Sequence, residues 1–286
     1  MEKISGRIRN VNLEERTFEI LKRNKIEYFY LTRSQLQKFK NYLQVGFFVQ
    51  LEYSEIKEKK GNVLAYPVIG FIKLISITRN KRTVYFDMET IKSGVQHVLN
   101  KPGYKMFIDL EFTMPPYTPN GEFESEIVEY GFIIEDEQGI VVHEATSLVQ
   151  INDKNGVSDR TLDFLNLTID DFENAAPMKE FYDTLKEAID EYDPVIMVWG
   201  TNDIQMLNSF YEMNHFKPLT NRASFINLMQ LMKNYFGLKS DVGLFKALEY
   251  FDKTFDKVQS HDALTDALIT SQVYNYFKRY ANKKIL

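Results

Sequence analysis

Two carboxylates sit inside a run that otherwise belongs in a protein core: Lys105-Met106-Phe107-Ile108-Asp109-Leu110-Glu111-Phe112. A short, largely apolar run set off by the turn formers Pro102-Gly103 reads as a buried strand. Side chains two apart on a strand face the same way, so Asp109 and Glu111 project together. Carboxylates held that close repel each other unless a cation neutralises them, and oxygen donors of this kind suit Mg²⁺ or Mn²⁺. An Asp-x-Glu pair is also an ordinary surface feature. Its meaning depends on what the rest of the chain brings to that strand.

Three further residues share the pattern. Asp203 follows Trp199-Gly200-Thr201-Asn202, directly after the apolar run Val195–Trp199 and at the head of a helix expected over Asp203–Met213. Alone it would be an acidic residue complementing a helix N-terminus. His261 and Asp266 lie five apart at the start of the last expected helix, Asp262–Tyr280, within His261-Asp262-Ala263 and Asp266-Ala267.

From Tyr104 onward strands and helices alternate. Lys105–Phe112, Glu126–Ile134 and Ile140–Leu148 read as three successive strands, with Gln138-Gly139 turning the second into the third. Met178–Tyr192 is a helix with apolar residues at 178, 181, 182, 185 and 189, stopped before Pro194. Leu228–Phe236 and Val242–Phe251 read as further helices. A three-stranded meander followed by helices and additional strands is the element order of an RNase H-like α/β domain.

Residues 1–85 read differently. Runs rich in β-branched and aromatic residues occur at Ile4–Val11, Arg16–Lys22, Ile26–Leu31, Phe47–Tyr53 and Val63–Ile77. Between the third and fourth, Leu36, Phe39 and Leu43 give a helical face with Ser34 as the expected N-cap. Three strands, a helix and two strands is the order of an OB-like barrel. Tyr28 and Tyr30 fall on one side of their strand and Phe29 on the other, so either tyrosine could stack on a base or fill the barrel. A short helix over Met88–Leu99, within a junction at 86–103, joins the two parts.

Charge follows the same division. Residues 1–85 hold 17 Lys and Arg against 8 Asp and Glu, a net charge of +9, whereas the remainder carries −14. The front suits a polyanion and the back suits cations, although a lysine-rich surface can also be merely solvated. Cysteine is absent, which excludes disulfides, thiolate metal sites and cysteine nucleophiles. No apolar stretch reaches the roughly 18 residues of a membrane span, and Met1–Arg7 has no secretory pattern, so a cytoplasmic protein is expected.

Asp109, Glu111, Asp203, His261 and Asp266, in this order and with these neighbours, resemble the DEDDh family of metal-dependent 3′→5′ exonucleases. Leu167-Thr168-Ile169-Asp170-Asp171-Phe172, Ala175-Ala176-Pro177, Trp199-Gly200 and Ile226-Asn227-Leu228 are similar to its Eri-type branch and the bacterial KapD-like relatives. The resemblance spans about residues 104–280 and departs at Ile169, where that branch usually has glycine. It implies that Asp109, Glu111 and Asp266 hold two divalent ions, that Asp203 supports the second, and that His261 is the general base. Thr113 matches the hydroxyl residue near the terminal nucleotide, with Phe112 and Met114 as lining. The implied substrate is single-stranded nucleic acid, RNA favoured, cleaved to 5′-monophosphates. A DNA-trimming nuclease and a non-catalytic OB nucleic-acid-binding protein are the alternatives, and all five positions being intact speaks against the second.

Overall fold

The computed structural model describes residues 1–22, 25–78, 81–118, 123–152, 157–254 and 261–283. It divides into two units, Met1–Gly94 and Val95–Leu286.

In the first unit, β1 (Glu2–Asn12), β2 (Thr17–Lys22) and β3 (Lys25–Tyr30) form an antiparallel meander. Helix α1 (Arg33–Phe39) follows, then β4 (Phe48–Tyr53), β5 (Glu58–Lys60), β6 (Val63–Ile77) and β7 (Arg82–Asp87). The neighbours run β3-β2-β1-β4-β6, and a parallel pairing of Phe29 and Tyr30 with Tyr66 and Pro67 links β6 back to β3. Ile4, Ile8, Phe18, Ile20, Phe29, Val49, Leu51 and Leu74 fill the interior, one side of each alternating strand. Thr32, rather than Ser34, caps α1: its hydroxyl accepts from the Gln35 amide while the Gln35 side chain returns to the Thr32 amide. That reciprocal box starts the helix earlier, and Lys40–Tyr42 then tightens into a 3₁₀ turn. The sequence reading missed β5, which is short and charged, and also β7, whose last residues it assigned to the junction; β7 pairs with the far half of the long β6.

Helix α2 covers Met88–Leu99, but the boundary between units falls inside it. Val95 and Leu99 are buried in the second unit's core, so the helix's C-terminal half belongs to that unit rather than to a separate connector.

The second unit has a five-stranded sheet of β8 (Lys105–Phe112), β9 (Ile127–Glu135), β10 (Val141–Leu148), β11 (Val195–Val198) and β12 (Phe225–Asn227). Its order is β10-β9-β8-β11-β12, antiparallel across the meander and parallel from β8 to β12. This is the mixed sheet of an RNase H-like domain. Around it lie α3 (Asp159–Leu165), α4 (Met178–Tyr192), α5 (Asn202–Met213), α6 (Leu228–Phe236), α7 (Leu244–Phe251) and α8 (Ala263–Ala281). Met106, Ile108 and Leu110 of β8 pack with Phe181, Leu185, Leu207 and Tyr211 of α4 and α5. Phe107 packs on the opposite layer with Ile269, Tyr274 and Phe277 of α8. By strand alternation Asp109 and Glu111 share the face of Phe107 and look toward α8.

Helix α7 begins at Leu244 rather than Val242, because the Val242 carbonyl accepts the Trp199 indole N–H at 3.0 Å and the chain stays extended through Gly243. Helix α3 was not read from the sequence. Its N-cap Ser158 and left-handed Asn166 stop bound only seven residues, too few for a clear apolar period.

Candidate active site

The site is assembled where β8, β9 and the first turns of α5 and α8 meet. Asp109 pairs in register with Gly131 of β9, and Glu111 with Glu129. Glycine at 131 is a steric requirement: a Cβ there would lie 2.1 Å from the Leu264 backbone nitrogen. Its absence lets the first turn of α8 settle directly on the sheet. That turn is capped by Asp262, whose carboxylate accepts the Thr265 amide at 2.7 Å. One turn in, Asp266 is buried, and its Oδ1 has no hydrogen-bond partner among the described residues. Asp203, at the head of α5, is also buried, and its Oδ1 accepts the Leu110 amide at 3.3 Å. That bond ties the third carboxylate to the strand that carries the first two.

Burial and mutual repulsion raise every carboxyl in this group. Burial pushes Glu111 up to about 8, with Asp266, Glu129 and Asp203 adding repulsion. Burial raises Asp203 to about 7 against two backbone hydrogen bonds that favour its charged form, and Asp266 to about 6 with help from Asp262. Asp109 is held well above the carboxylate range, first by burial and then by Asp203, Glu111, Asp266 and Glu129. A fifth carboxyl, Glu129, is raised to about 7 by burial and by Asp262 and Asp266. The sequence reading missed it; its only signal was an acid within the apolar run Ile127–Ile134, which register alone places opposite Glu111.

A protein does not gather uncompensated acids in this way without cost. The donor set answers the cost: ligand atoms of Glu111, His261 and Asp266 all lie within 4.8 Å of one another. Carboxylate oxygens with one imidazole fit a hard divalent cation, and the unpartnered Asp266 oxygen is a free ligand atom.

The structure thus brings together Asp109, Glu111, Asp203, His261 and Asp266, which lie far apart in sequence. His261 sits just before α8, with Nδ1 4.0 Å from Glu111 Oε1. Burial lowers its pKa, which favours the neutral imidazole. Beyond Glu111, a bulge in the β8–β9 pairing precedes Phe112. Thr113 is buried and its hydroxyl accepts the Glu126 amide at 2.9 Å. The Met114 amide donates to Thr161 of α3 at 2.9 Å, and the Met114 carbonyl accepts from Ser158 at 2.9 Å. The Ile169 segment forms a 3₁₀ helix, Ile169–Asn174.

Tyr28 and Tyr30 lie on β3 of the first unit. Tyr30 donates its hydroxyl to Glu58 at 2.8 Å, and Lys60 Nζ covers its ring at 4.0 Å.

The family model described as Exonuclease (RNase T) matches residues 106–274, from the strand bearing the acidic pair to the helix bearing Asp266. The chain belongs to that exonuclease family. A Bacillus subtilis (strain 168) protein named "Probable 3'-5' exonuclease KapD" is 30% identical over 185 residues, 62% of this chain and 87% of the relative. Among solved structures, the nuclease domain of 3′hExo, a DEDDh family member bound to rAMP, superposes with a TM-score of 0.54 at 18% identity, covering 64% of this chain and 93% of that one. Cell-death related nuclease 4 (CRN-4) superposes at 0.52 and 14% identity, covering 64% of each. The second unit is a 3′→5′ exonuclease domain of that family, with the fold seen in 3′hExo. Among the described residues no helix is long and apolar enough to cross a membrane.

Proposed function

We propose that this exonuclease removes nucleotides from the 3′ end of single-stranded nucleic acid, with RNA the favoured substrate, and releases nucleoside 5′-monophosphates. The observation that carries the reading is the convergence of four carboxylates and His261 on one face of β8, with an unpartnered buried oxygen on Asp266. Asp109, Glu111 and Asp266 would hold two divalent ions, Mg²⁺ or Mn²⁺, with Asp203 supporting the second. Bound there, such ions supply charge stabilisation for both the attacking and the leaving oxygen of an in-line displacement.

The chain's own groups do the rest. His261, kept neutral by burial, collects the proton of the attacking water. Asp203 keeps the strand and α5 in register through the Leu110 amide. Thr113 and Met114, with Phe112, form the wall on which the terminal nucleotide rests. The first unit, OB-like in strand order and carrying the +9 charge of residues 1–85, grips the strand through its phosphates. Tyr28 is the better candidate of the two tyrosines for stacking, since the Tyr30 ring is already covered by Lys60. RNA is favoured because the DEDDh neighbour 3′hExo was crystallised with rAMP.

Matched 5′-labelled single strands of RNA and DNA, incubated with Mg²⁺ or Mn²⁺, test the substrate. A ladder receding from the 3′ end on RNA alone supports the reading. Equal ladders on both would make the enzyme a general single-strand exonuclease, and a ladder on DNA alone would favour the DNA-trimming alternative.

A further inference from the structure

His261 precedes α8 rather than standing in it, and among the described residues no hydrogen bond orients its ring; Glu111, at 4.0 Å, is beyond hydrogen-bonding range. One contact does hold it. The ring of Phe164 lies against the imidazole, with centroids 3.8 Å apart and planes 28° from parallel. Phe164 leaves 44% of its surface exposed, although the same short helix buries Thr161 and Leu165. An exposed apolar ring set face-on against the candidate base is not explained by core packing.

Helix α3 is a rigid mount for that ring. Ser158 caps it and also donates to the Met114 carbonyl, and Thr161 accepts from the Met114 amide. Leu165 is fixed in a separate small core with Val128, Ile151, Val157 and Phe172. We propose that Phe164 is the positioning residue of the general base: its face-on contact restricts rotation of the His261 ring. A contact on the π face leaves both ring nitrogens, which lie in the plane, free to exchange a proton. Because α3 is bonded to Met114, next to Thr113, the orientation of the base is linked to the segment that seats the terminal nucleotide.

This role for Phe164 rests on His261 acting as base, and the test separates the two. Full-length wild type, Phe164→Ala, Phe164→Tyr, His261→Ala and the Phe164/His261 double alanine variant are compared in single-turnover cleavage of 5′-labelled single-stranded RNA at saturating Mn²⁺. Melting curves and Mn²⁺ binding confirm that each variant folds and holds metal. Phe164→Ala is expected to slow the maximal rate roughly 10- to 100-fold with the half-saturating RNA concentration unchanged, and Phe164→Tyr to restore most of it. The double variant should be no slower than His261→Ala, because there is no base left to position. A weakened half-saturation with an unchanged maximal rate would make Phe164 a platform for a nucleobase and overturn the proposal. Losses that multiply in the double variant would overturn it as well. Near-wild-type activity in His261→Ala would instead remove the base assignment itself.

Discussion

Gly131 and Leu264 approach so closely that the position of α8 on the sheet depends on a missing side chain: a Cβ on Gly131 would stand 2.1 Å from the Leu264 nitrogen. Gly131 pairs with Asp109, so the strand position opposite the first acid is also the one that admits the helix bearing the last. Gly131→Ala must push α8 off β9, carrying Asp266 and His261 with it. Its expected cost is at least about 1–3 kcal/mol of stability and roughly 10²-fold in activity from misplacement of the site. Chemical denaturation and a cleavage assay on the same preparation check both. A variant with wild-type stability would contradict the close packing.

The raised carboxyls make the metal-free protein sensitive to pH. Glu111 near 8, Asp203 near 7 and Asp266 near 6 exceed the values of about 4 expected in the unfolded chain. The native state therefore retains protons that the unfolded state has lost. The contribution of these groups to stability is complete below pH about 4 and is lost as pH rises through 6 to 8. A divalent ion replaces those protons, so the gain in Tm from Mg²⁺ should be larger at pH 8 than at pH 5. Equal gains at both would contradict the assignment of the acids to a metal site.

His261→Ala should slow cleavage by at least roughly 10²-fold, the usual contribution of a positioned base, without loss of metal binding. Rate and Mn²⁺ affinity measured together check it.

The first unit's role is tested by charge. Arg9, Lys22 and Lys25 are exposed on its meander. Replacing all three with glutamine should weaken single-stranded RNA binding and reduce the slope of log affinity against log salt by about 0.7 for each phosphate no longer neutralised. An unchanged slope in a binding titration would mean that these cations do not face the nucleic acid.

The exonuclease unit was legible because its strands and helices obey simple periods. The helices Met178–Tyr192 and Leu228–Phe236 have the bounds their apolar spacing predicts, and β8 runs Lys105–Phe112 as read. That Asp109, Glu111, Asp203, His261 and Asp266 belong together was legible through residue type and order, and the fold brings them to one place. What the sequence hid depends on packing between distant segments. Glu129 acquires its significance from register with Glu111, and Phe164 from a helix that hydrogen bonds to Met114 hold in place. The start of α7 was displaced by one tertiary bond, from Trp199 to Val242.

Hydrolysis, as proposed, depends on divalent ions held by four mutually repelling carboxyls, with the His261 imidazole beside them as base. The decisive measurement is a titration of Mn²⁺ into the purified protein, with free ion followed by its electron paramagnetic resonance signal and Asp109→Ala titrated in parallel. Two bound ions are expected in the wild type, with the loss of at least one, and of all exonuclease activity, in a folded Asp109→Ala protein. Undiminished Mn²⁺ binding and cleavage by that variant would contradict the metal site.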